Sequence, residues 1–178
     1  MSQPWQQQPQ SQPQQPGNPF AQQQPGAYPP PPAPVRRGNV GLAVVLGIVA
    51  ALVAAGIYAG VLYATFDEDK GEVTQIGYLA VGVGALIGFA LGKFGGNNVA
   101  LQILGAVLGV VAVVLGELYG YALIMAEYFP GAPAATEIFF DNFSRLFDGW
   151  KEDLDAISYL FFALAAAAGF SVAKKSGS

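Results

Sequence analysis

Four long stretches of this chain carry no charged side chain, and that absence limits its fold more than any motif does. No Asp, Glu, Lys or Arg occurs between Arg37 and Asp67, across 73–92, across 94–116 or across 156–173. About 20 helical residues, each rising ~1.5 Å, cross a hydrocarbon core of ~30 Å. Four membrane spans are therefore predicted, at about 40–66, 75–92, 99–126 and 156–173. A water-soluble bundle is excluded, because helices that are apolar all round leave no face for solvent. Composition agrees. Charged residues are 11 % of the chain, against roughly 25 % in soluble domains.

The predicted fold is an all-α membrane protein. Four transmembrane helices form an antiparallel bundle, accompanied by a short interfacial amphipathic helix and a disordered N-terminal tail. The tail, 1–37, precedes a membrane domain over 38–175. Residues 1–35 hold 11 Gln and 11 Pro with no charge, so they have little to bury and few backbone donors for a helix. They contain no apolar core of a cleavable signal, and the first span is expected to act as an uncleaved anchor. Within the tail, Pro31, Pro34 and Arg36 match a minimal polyproline ligand, a docking candidate for a cytoplasmic partner. The competing reading is a solvated spacer.

Linker length sets the neighbours. The segments 65–74 and 93–98 are short, so the first three spans are expected to be sequential antiparallel neighbours. The linker 127–155 is long enough for structure of its own. Pro130 and Pro133 break the chain, Thr136 is a candidate helix cap, and Glu137 suits a first helical turn. Phe139, Phe143, Leu146, Phe147 and Trp150 then recur at helical spacing. An amphipathic helix over about 136–150 is expected, either lying in the membrane interface or capping the bundle mouth.

Charge sign orients the bundle. Arg36, Arg37, Lys93, Lys174 and Lys175 fall on one side with no acid among them, whereas Lys70, Arg145 and Lys151 share the other side with 11 acids. Basic residues near span ends stay cytoplasmic. Both termini are thus expected inside a cell membrane, and an acidic face outside.

The chain has no Cys and no His. Thiol nucleophiles, Cys/His metal sites and Ser–His pairs are excluded, no cofactor is expected, and no basic patch suits nucleic acid. Small residues instead recur every four positions. Gly84, Gly88 and Gly92 follow Ala80 in the second span, and Gly105/Gly109 and Gly116/Gly120 mark the third. The first carries Gly56/Gly60 beside Ala43, Gly47, Ala51 and Ala55. In lipid such spacing permits close backbone approach, either within the bundle or to a second copy or another membrane subunit.

Glu117 is the intramembrane carboxylate candidate. It lies about 15 Å along the third span from Glu127, near mid-bilayer by that measure. An ionisable group at such depth costs about 2.5–3.5 kcal/mol on insertion scales, and no span offers a countercharge. Tyr58, Tyr63, Tyr78, Tyr121 and Ser158 are the candidate hydrogen-bond partners. Two functional classes follow: a scaffold or accessory membrane subunit in which Glu117 only hydrogen-bonds, and a small proton- or cation-coupled transporter or channel in which it titrates. An enzyme is not expected, because no second carboxylate lies in a span.

The tail, the stretch RRGNVGLAVVLGIVAALVAAGIYAG leading into span one, IGYLAVGVGALIGFALGK in span two and WKEDLDAISYLFFALAAAAGF leading into span four also carry a resemblance. The chain resembles uncharacterised small bacterial four-span membrane proteins with a Pro/Gln-rich N-terminal cytoplasmic tail. That resemblance implies membrane residence and brings no activity, ligand or site.

Overall fold

The computed structural model describes residues 38–73 and 77–178. The docking candidate Pro31, Pro34 and Arg36 lies outside the described residues. The elements run α1 (Val40–Ala64), β1 (Phe66–Asp67), β2 (Glu72–Val73), α2 (Gly77–Gly95), α3 (Val99–Tyr128), α4 (Ala135–Asp141), α5 (Phe143–Glu152) and α6 (Ala156–Ser176). Four of them, α1, α2, α3 and α6, are long and apolar enough to cross a membrane. The chain is an all-α, multi-pass membrane protein.

Side-chain caps start three of these helices where the apolar runs begin. Asn39 accepts from the Leu42 N–H at 3.0 Å and Asn98 from the Ala100 N–H at 2.9 Å, each satisfying a helix-end donor. Asp155 does the same for α6, accepting from the Ser158 N–H at 2.8 Å and its hydroxyl at 2.9 Å. The expected polar turn over 93–98 is shorter than its composition implied. α2 continues through Lys93 to Gly95, and the chain reverses at Gly96, whose φ of +70° suits glycine. The Asn39 N–H donates to the Phe94 carbonyl at 2.8 Å, tying the start of α1 to this turn.

In the bundle α2 and α3 touch each other, α1 packs on both from one side, and α6 packs on both from the other. The expected neighbours α1–α2 and α2–α3 are present, and two parallel pairs join them. One is α2 with α6, where Gly84 meets Ala165, Gly88 meets Gly169 and Gly92 meets Ala173. The other is α1 with α3, where Gly116 meets Ala55 and Tyr58, and Gly120 meets Ala59 and Leu62. Gly105 and Gly109 lie against Gly169 and Ala165 of α6, where an added methyl would stand 2.9 Å from a carbonyl oxygen. All seven candidate packing glycines are thus used inside one copy of the chain. Gly56 and Gly60 are not, since nothing lies within 4 Å of a methyl placed on either. The buried face of α1 is the Ala43, Gly47, Ala51, Ala55 ladder. Its outward face is apolar, with Leu52 62 % and Ile57 53 % exposed. Water would penalise that face, whereas lipid would not.

The linker after α3 departs from its expected form. The single helix over 136–150 is two helices broken at Asn142, and Ala134, not Thr136, occupies the cap position of α4, without a side-chain bond. Proline and glycine around Gly131, whose φ is +80°, set the chain's direction before α4 forms. α4 and α5 both pack against α3 and cover the end of the bundle opposite the α2–α3 turn. The short antiparallel β1–β2 pair, Phe66 with Val73 and Asp67 with Glu72, stands at that same end.

Replacing Gly88 with Leu drives a side chain into the Gly169 backbone. The expected cost is about 1–3 kcal/mol, whereas Gly56→Leu should stay within about 0.5 kcal/mol. Unfolding midpoints of the two variants in one mild detergent give the comparison. A second expectation concerns pH. The N–H of Ser158, then its hydroxyl, hold the Asp155 carboxyl below the usual carboxylate range. Its capping contribution is therefore complete above the unfolded value of about 3.9 and fades as pH falls through the lower folded value. Amide-exchange protection at Ser158, corrected for intrinsic rate, should hold at pH 5 and drop near pH 2.

Candidate functional site: a carboxylate beneath an aromatic cap

Glu117 is buried where α1, α3 and α5 converge. The Tyr58 hydroxyl donates to its Oε1 at 3.1 Å, and the Trp150 indole Nε1–H donates to its Oε2 at 2.8 Å. The adjoining Gly116 makes the first bond reachable, because a methyl there would stand 2.8 Å from the Tyr58 Cβ. The second comes from outside the four spans. Trp150 lies near the end of α5, and burying an indole requires a partner for its N–H. Glu117 supplies that partner.

Of the five anticipated partners, only Tyr58 bonds Glu117. Ser158 is committed to Asp155, Tyr78 is 84 % exposed, and Tyr63 packs its ring on Tyr128 at 6.4 Å. Tyr121 lies one turn beyond Glu117 and lines a cavity described below. Trp150 was legible only as a member of an apolar face. Its role as donor depends on a contact across 33 residues of chain, which helical periodicity does not encode.

The depth of Glu117 also differs from the mid-bilayer expectation. Gly109 faces Gly84 of α2 and Ala165 of α6. Two helical turns further along α3, Glu117 is therefore level with the first turns of α2 and α6. Measured from Val99, it stands about 27 Å along the helix. The sequence estimate counted from Glu127, but the last turns of α3 project past the neighbouring spans. The carboxylate consequently sits at the capped edge of the bundle.

Aromatic rings continue outward from this point. Tyr119 meets Phe139 at 5.5 Å between centroids, and Phe139 meets Phe143 at 5.6 Å. Phe143, Phe147 and Trp150 then stack along α5 at 6.0 and 5.3 Å, and Trp150 reaches Phe162 of α6 at 6.1 Å. The α4–α5 segment packs on α3 and covers the bundle mouth, and this arrangement is compatible with either form anticipated for it. Its outer edge remains apolar, with Phe140 74 % exposed.

Between the cap, the end of α3 and the β1–β2 pair lies a cavity of about 700 Å³. Its walls include Phe66, Tyr121, Ile124, Ile138, Leu146 and Trp150. Among the described residues no group of three acidic side chains gathers to hold a metal ion.

Comparison with protein-family models, curated proteins and solved structures finds no match.

Two substitutions separate the bonds around Glu117. Trp150→Phe keeps the ring stack but strands Oε2, with an expected loss of about 1–3 kcal/mol. Glu117→Gln should cost less, because the amide oxygen still accepts from Trp150 while its NH₂ faces the Tyr58 oxygen. In a double-mutant cycle on detergent unfolding, a Trp150–Glu117 coupling near zero would show that the bond does not hold the cap.

Proposed function

We propose that this chain is a non-catalytic scaffold or accessory subunit of a cell-membrane assembly, with both termini cytoplasmic and the acidic, aromatic cap outside. One observation carries the reading: both oxygens of Glu117 are engaged by neutral donors, one of them on the cap. A carboxylate held this way joins the cap to the bundle. A proton or cation path would need further stations, yet the spans carry no other Asp, Glu, Lys or Arg before Lys93, Lys174 and Lys175 at the opposite end. Those three lysines, with Arg36 and Arg37, support the cytoplasmic assignment of the termini.

Within the assembly the chain contributes two surfaces. The cap presents acids and exposed aromatic rings on one side of the membrane. The Pro/Gln-rich tail offers Pro31, Pro34 and Arg36 on the other. The seven candidate packing glycines are used inside the bundle, whereas Gly56 and Gly60 lie on an uncovered side of α1 that is left for a membrane partner or second copy.

The test is purification of the full chain in mild detergent, with wild type and Glu117→Gln side by side. The accessory reading expects a defined membrane partner to copurify with both proteins, and no proton flux in proteoliposomes from either. Flux from wild type that Glu117→Gln abolishes would replace this reading with a transporter.

A further inference from the structure

We propose that the cavity beneath the cap binds a single-chain amphiphile with an anionic head group, drawn from the adjoining membrane leaflet, with Arg145 holding the head group. The proposal is independent of the accessory role.

The first support is the shape and chemistry of the space. A volume of about 700 Å³ falls within the roughly 300–1,000 Å³ of small-molecule sites. The walls are mostly hydrocarbon, contributed by Phe66, Val73, Ile124, Met125, Ile138 and Leu146. A half-open, mostly apolar space of this size favours a flexible hydrocarbon chain over water, which needs two to four polar partners.

Charge supplies the second support. Three bases lie on the cap side. Lys70 pairs with Asp67 at 2.8 Å and Lys151 with Asp148 at 2.9 Å. Arg145, which lines the cavity, makes no ion pair among the described residues, although Asp141 precedes it by one helical turn. Among the described residues the one acid on the cavity wall is Asp153, eight residues further along, about 12 Å at helical rise. An exposed arginine on the wall of an apolar space matches a carboxylate or phosphate head on a single chain, by bidentate hydrogen bonding.

Gly149 is the third. It lies inside α5 and lines the cavity, and a methyl added there would meet nothing within 4 Å. Neither backbone angle nor packing calls for glycine at this position, and alanine would favour the helix. What glycine does here is leave the cavity open.

The cavity carries its own reporter. The chain has two tryptophans, Trp5 and Trp150, so Trp5→Phe leaves Trp150, in the cavity wall, as the only fluorophore of its kind. The full-length Trp5→Phe protein in a neutral maltoside detergent is titrated with 9,10-dibromostearate, whose bromines quench tryptophan on contact. Saturable quenching, reversed by excess oleate, is expected. Arg145→Gln should weaken dibromostearate binding about tenfold while leaving the glycerol monoester of the same brominated chain unaffected. Gly149→Leu, which fills open space and retains the helix, should abolish saturable quenching by both probes with its unfolding midpoint preserved. Quenching that rises linearly and equally in Gly149→Leu would mean simple partition into micelles and would overturn the site. Saturable binding indifferent to Arg145→Gln would overturn the anionic head group.

Discussion

Close backbone contact between helices that have no hydrophobic reason to associate is the constraint on which this structure depends. Lipid tails are as apolar as leucine, so burying a side chain against a neighbour gains little over leaving it in the bilayer. Contact energy must come from dispersion and weak polar contacts at short range, and these need small residues. The Gly84, Gly88, Gly92 edge of α2 lies directly on the backbone of α6 at Ala165, Gly169 and Ala173. On its other flank Gly169 receives Gly105 of α3. One glycine of α6 therefore serves two interfaces, and α2, α3 and α6 form a single tightly packed unit.

The α1–α3 pair uses the same device for a different result. Gly116 and Gly120 admit α1, but between them the chain places Glu117, and the proximity of α1 delivers the Tyr58 hydroxyl to it. A polar group at the edge of the bundle is then a means of attachment. The carboxylate accepts one bond from a span and one from the cap, so α5 is joined to the bundle by a directional contact as well as by stacked rings. The ionisable group is tolerable because α3 outruns α2 and α6, which brings Glu117 to the capped edge. The same overhang forms one wall of the cavity, so attachment and cavity have a common origin in the excess length of one helix.

Much of this organisation is written in residue type and spacing alone. Charge-free runs delimit the four spans to within a few residues, because an unpaired charge in hydrocarbon is expensive wherever it falls. The period-four small residues mark the contact faces of α2 and α3, since helical geometry places such positions on one side. Gly56 and Gly60 follow the same pattern and face outward, so period alone does not say which of two ladders on α1 is buried. The break at Asn142 was likewise hidden, because aromatic spacing persists across it.

Sequence by itself determined the number of spans, the segregation of basic and acidic ends, the small-residue faces and the presence of one carboxylate inside an apolar run. Each is a local property, set by the free energy of moving particular side chains between water and hydrocarbon. Tertiary structure alone decided that Trp150 completes the bonds of Glu117, that Glu117 lies at the bundle's edge, and that a cavity with Arg145 on its wall opens beneath the cap. Those facts depend on how far one helix slides past another and on where a distant segment folds back. Register between helices arises only when all of them pack at once, and no single stretch of chain contains it.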